Sequence, residues 1–129
     1  MGISDASYRE AIRQLAAVPG VEFDPASLAE DVFLLGYAYD DEERFATALA
    51  GSIRALCQLT SGRVMASNLK YDFEGMSSYH FQAERKQGSP ADMRIVFRRE
   101  EDTVRVIGFG NRKIPSDIYK RLSASRLSS

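Results

Sequence analysis

Met93-Arg94-Ile95-Val96-Phe97-Arg98, followed by Thr103-Val104-Arg105-Val106-Ile107-Gly108-Phe109, decides the fold. In the first run Met93, Ile95 and Phe97 alternate with Arg94, Val96 and Arg98, the two-residue period of a strand that buries one face and presents cations on the other. The second run is rich in β-branched and aromatic residues, and Glu100-Glu101-Asp102 between them is a turn, so the pair predicts an antiparallel hairpin closed by Gly110. Upstream, Tyr79, Phe81 and Ala83 alternate with His80, Gln82 and Glu84, and Gln87-Gly88-Ser89-Pro90 supplies a loop. Three successive antiparallel strands make a β-meander.

Before Gly62 the period is helical. Phe45, Leu49, Ile53, Leu56 and Cys57 share one face, with Asp40 and Glu43 as the start signal and Gly62 as the C-terminal glycine. Cys57 reads as core. Leu28, Val32 and Leu35 define a preceding helix that starts at Asp24-Pro25 and is broken at Gly36 and Tyr37-Ala38-Tyr39, so a short loop joins two antiparallel helices. Val21-Glu22-Phe23 is a short strand. Tyr8, Ala11, Ile12, Leu15 and Ala16 mark a further N-terminal helix, capped by Ser7 with Glu10 and stopped by Pro19-Gly20. Ile118, Tyr119 and Leu122 suffice for one amphipathic turn, and residues 123–129 read as a frayed end. The order predicts an α+β fold of two layers in one domain, 1–129, with N-terminal helices packed on a mainly antiparallel sheet of about four strands.

A chain of 129 residues, 44% hydrophobic and 27% charged, is the composition of one soluble domain. One cysteine and one histidine exclude an intrachain disulfide and a Cys/His zinc cage, and point to a reducing compartment. With no apolar run of about 18–20 residues and no signal-peptide order, the expectation is a cytoplasmic protein without membrane contact. No phosphate-binding glycine loop, paired metal-ligand carboxylates or nucleophile elbow is present, so no cofactor or metal is expected. The net charge of −1 divides unevenly. Residues 1–60 carry ten acidic and four basic side chains, residues 61–129 eight and thirteen; gathered on one surface, the cations of the second half would attract phosphate, and the plainer alternative is a solvated basic face without a ligand.

The run Leu69-Lys70-Tyr71-Asp72-Phe73-Glu74-Gly75, a strand ending in Arg85, the segments 93–98 and 103–112, and Asp117-Ile118-Tyr119 together resemble the RelE/ParE superfamily of type II toxins. Val21-Glu22-Phe23-Asp24-Pro25 and the helix hairpin are similar to that family's first strand and paired helices, so the resemblance spans 21–122 and leaves 1–20 as an N-terminal helical extension.

For the RelE branch the resemblance implies a metal-independent, ribosome-dependent mRNA endoribonuclease that inhibits translation and is silenced by a cognate antitoxin. The substrate's own 2′-hydroxyl attacks the adjacent phosphorus, which requires a proton acceptor, fixed positive charge and a proton donor. Arg94 and Arg112 are the implied catalytic cations, Tyr119 the proton-transfer or base-stacking residue, and Lys70, Arg85, Lys86 and Arg98 the further RNA- or phosphate-binding cations. Some members of the family use histidine, so the resemblance also admits His80 as a general base, with an exposed imidazole as the plainer alternative. Tyr119 also reads as a packed helix aromatic, and Arg98 and Arg99 as a solvated hairpin end. The ParE branch implies inhibition of DNA gyrase instead. A third expectation is an inactive, partner-binding relative whose first helix and acidic half cover the basic face.

Overall fold

The four described α-helices each begin where a side chain replaces a missing backbone acceptor: Ser4, Asp24, Asp41 and Asp117 accept from the N–H groups of Ser7, Ser27, Arg44 and Tyr119. The computed structural model describes residues 2–62, 64 and 66–127. Its elements are α1 (Asp5–Ala16), β1 (Val21–Phe23), α2 (Pro25–Ala38), α3 (Glu42–Ser61), β2 (Ser67–Asn68), a 3-10 turn at Tyr71–Phe73, β3 (Ser77–Phe81), β4 (Met93–Glu100), β5 (Thr103–Asn111) and α4 (Ile118–Arg126).

Three expected helix signals move, the first by a single residue, since α3 is capped by Asp41 rather than Asp40. The cap of α1 is Ser4 rather than Ser7, because the Ser7 hydroxyl donates to Glu42 and Glu10 pairs with Arg13 and Gln14. Gly36 does not stop α2. A Cβ there would lie 2.3 Å from the Tyr8 hydroxyl oxygen, so this glycine serves the close approach of α1, and the helix runs on to Ala38. At Gly62 the expectation holds: φ is +73°, and its N–H closes the end of α3.

The sheet has five strands, in the order β1-β5-β4-β3-β2. The expected meander of β3, β4 and β5 is antiparallel throughout, β2 adds two residues beside β3, and β1 lies parallel to β5. Between Val96 and Phe97 the register shifts, because Val96 faces Gly108 while Phe97 faces Val106, which leaves Ile107 as the extra residue of a bulge. The bulge lets Val104, Val106 and Phe109 all join the core under α1–α3, while Ile107 joins the apolar cluster on the opposite face.

That opposite face corrects the two-layer expectation. Ile118 and Leu122 of α4, with Phe73 of the 3-10 turn, pack on Val96, so β4 is buried on both faces from Met93 to Phe97. The tail is a nine-residue helix rather than one turn and a frayed end. Helix α1 lies on the other side, with its Ala11 and Leu15, and Val18 just beyond its end, in the core and contacts to α2 and α3, so it does not cover the face that carries Tyr119. Cys57 is exposed rather than core, because Leu56 and Leu59 take the inward positions of that turn. Among the described residues no helix is long and apolar enough to cross a membrane.

Candidate functional site

Pairing of β5 with β1 ends at Val106, so among the described residues the outer edge of β5 from Ile107 onward lacks a neighbouring strand. Side chains take its place. Asp31 of α2 accepts from the Phe109 N–H at 3.1 Å, and Arg126 of α4 donates to the Ile107 carbonyl at 2.9 Å. Arg121 and Arg126 also bind the Asp31 carboxylate, which clamps α4 to α2 around the sheet edge. Burial disfavours the Arg126 charge, yet its bonds to Asp31 and Glu30 raise its pKa above the usual arginine value.

Clamped in this way, α4 carries Tyr119 over β3. The Tyr119 hydroxyl lies 2.8 Å from Ser78 Oγ and 3.5 Å from His80 Nε2, with Phe73 edge-on to its ring at 5.9 Å. Ser78 and His80 are two residues apart on one strand and therefore share a face. Directly across from His80, in register, stands Arg94. Arg112 is held where β5 gives way to α4, its N–H donating to the Asp92 carbonyl and its own carbonyl accepting from Ile118. Burial first, then the charges of Arg94 and Arg112, push the His80 pKa below its ordinary 6.5.

Arg94 is not displayed as the alternation of β4 predicts. The residue is only 7% exposed, because the face it occupies is covered. Its Nη1 donates to the carbonyls of Ala91 and Met93 at 2.9 and 3.0 Å, its Nε is buried without a partner, and no carboxylate pairs with it among the described residues. A buried guanidinium with no counter-charge is costly to hold. Here it stands across the strand pair from the exposed His80 imidazole, with a second arginine, Arg112, acting on the same group.

The other predicted cations are dispersed. Lys70 lines a shallow cleft of about 410 Å³ that also contains Tyr119. Arg85 is exposed on the segment after β3, and Lys86 borders a separate cleft of about 400 Å³ beside Arg44 and Asp92. Arg98 stands exposed at the far end of β4, 3.8 Å from Glu100, and takes no part in the cluster. The structure thus brings together Arg94, Arg112 and Tyr119 with His80 and Ser78, borders them with Lys70, and leaves Lys86 and Arg98 elsewhere. Ser78, Asp31, Arg121 and Arg126 escaped the sequence reading. Asp31 did leave a signal, as the one acidic residue inside the apolar stripe of Leu28, Val32 and Leu35. Among the described residues no cluster of metal ligands occurs.

No family model, curated protein or solved structure significantly matches this chain.

Proposed function

We propose that this protein is the toxin of a type II toxin–antitoxin module, acting as a metal-independent, ribosome-dependent mRNA endoribonuclease of the RelE kind. One observation carries the proposal: Arg94, a buried guanidinium with no carboxylate partner among the described residues, stands across from His80, which the Tyr119 hydroxyl meets and on which the Arg112 charge also acts. Such a site is short of one anion. A phosphate is the group whose charge and geometry arginines match, and the phosphorane-like transition state carries more negative charge than the bound diester.

The chemistry divides among the named groups. Neutral His80 takes the proton of the substrate's 2′-hydroxyl, the O2′–P bond forms, and Arg94 from beneath and Arg112 from the rim balance the charge on the non-bridging oxygens. The P–O5′ bond then breaks as the Tyr119 hydroxyl gives its proton to O5′. The products are a 2′,3′-cyclic phosphate and a 5′-hydroxyl. His80 returns its proton to Tyr119 across the 3.5 Å contact, restoring both groups. The cognate antitoxin silences the protein by covering this basic face, and the ribosome presents the mRNA.

Induced expression with primer extension on cellular mRNA tests the proposal. Growth arrest with new 5′ ends inside translated codons is the expected result. Arrest without such ends, accompanied by failing DNA supercoiling, would transfer the protein to gyrase inhibition.

A further inference from the structure

Tyr71 combines two costly features. It is 91% exposed, and it is the one non-glycine residue at positive φ among the described residues, at +57°. A bulky side chain in the left-handed region is disfavoured, and an aromatic ring in water gains nothing from burial, so the fold alone gives no reason for either. The backbone that carries the ring is nevertheless held in place. Phe73 N–H donates to the Lys70 carbonyl at 3.1 Å and Glu74 N–H to the Tyr71 carbonyl at 3.0 Å, while Phe73 is buried against Tyr119. Asp72 is occupied by Ser123, whose hydroxyl donates to it at 3.1 Å.

The turn faces α4 across the shallow cleft of about 410 Å³, with Tyr119 in one wall and Lys70 and Lys120 on its lining. Neither lysine has an ion-pair partner among the described residues. An exposed aromatic flanked by unpaired cations is the arrangement that binds single-stranded nucleic acid, the ring stacking on a base and the cations tracking the backbone.

We infer that Tyr71, Lys70 and Lys120 form a subsite for one nucleotide of single-stranded RNA next to the phosphate held at the His80–Arg94 cluster, with Tyr71 as the stacking platform. The inference rests on the RNA reading above and adds where the strand runs and which residue grips it. Tyr71 acts in binding and touches no reacting atom.

The chain contains no tryptophan, so Tyr71→Trp introduces a single, selectively excitable tryptophan at the platform. Titration with a short 2′-O-methyl oligoribonucleotide, which lacks the attacking hydroxyl, separates binding from cleavage. Saturable quenching in Tyr71→Trp is expected, with a roughly ten- to hundred-fold weaker affinity in Tyr71→Ala and near-normal affinity in Tyr71→Phe. Tyr71→Gly, which relieves the positive φ, should not lower the thermal midpoint while weakening binding as alanine does. An unquenched tryptophan at saturation, unchanged affinity in Tyr71→Ala, or no binding of the oligonucleotide overturns the subsite. His80→Gln separates the two proposals: it should abolish cleavage and keep the quenching, so cleavage can fail while the subsite stands, and the reverse.

Discussion

Arg126 and Asp31 are joined by a two-pronged ion pair around the edge of the sheet, Arg126 Nη1 lying 2.7 Å from Asp31 Oδ2 and Nη2 2.8 Å from Oδ1. Both side chains are buried, and the same carboxylate also serves Arg121 and the Phe109 N–H. This carboxylate holds α4, and through it Tyr119, over β3. Asp31→Ala would leave the Phe109 N–H without its acceptor and two buried guanidinium groups with only the half-exposed Glu30 as counter-charge. We expect a loss of about 3–5 kcal/mol, read from urea unfolding. A loss below about 1 kcal/mol would show that α4 is held by its apolar contacts alone.

Gly108 tests the same docking from the sheet side. A Cβ on it would lie 2.3 Å from Leu122 Cδ2 and 2.7 Å from Arg126 Nη1. Gly108→Ala should therefore push α4 outward, at a cost of about 1–3 kcal/mol, with faster amide exchange along Ile118–Arg126. Unchanged exchange there would contradict the account.

His80 is the single histidine, so its titration is cleanly visible by NMR. Its pKa in the folded protein is depressed by burial and by Arg94 and Arg112, whereas in the unfolded chain it returns to its ordinary 6.5. The unfolded state then binds more protons, so the stability tied to the neutral ring is complete above 6.5 and is lost as the pH falls below it. His80→Gln should remove that acid-side loss. Arg112→Ala should raise the imidazole midpoint toward 6.5; an unmoved midpoint would separate Arg112 from the cluster.

Arg94 has no ion pair to lose among the described residues, only its bonds to the carbonyls of Ala91 and Met93. Replacing it with methionine removes a buried, uncompensated charge while filling similar space, so unfolding stability should change by no more than about 1 kcal/mol. Cleavage should fall by roughly a hundred-fold or more, as when one donor to a developing oxyanion is lost. Normal cleavage in Arg94→Met would remove this residue from the mechanism. Arg98→Ala, at the distant hairpin end, should leave cleavage unchanged.

Deleting residues 1–19 distinguishes a masking helix from a structural one. Because Ala11, Leu15 and Val18 are buried in the core on the face away from Tyr119, the truncated chain should be recovered insoluble. A soluble, more active truncation would mean that α1 masks the site.

The meander was legible because β4 and β5 announce themselves by alternation and β-branched residues, and Asp24-Pro25 and Gly62 mark helix ends by local chemistry. The second apolar face was not. Val96, Ile107, Ile118 and Leu122 lie far apart in sequence, and neither of the last two suggests a partner until the chain folds back. Arg94 misled for the same reason: alternation tells which face a side chain takes, and not whether that face is covered. The convergence of Ser78, His80 and Tyr119 is likewise tertiary, since 39 residues separate the histidine from the tyrosine that meets it.

The most direct measurement is cleavage of ribosome-bound mRNA by the purified protein, with the new ends chemically identified, in wild type and in Arg112→Ala, His80→Gln and Tyr119→Phe. The account predicts 2′,3′-cyclic phosphate and 5′-hydroxyl ends from the wild type, and roughly a hundred-fold or greater loss in each variant. No new ends, or ends that persist at the wild-type rate in all three variants, would contradict it.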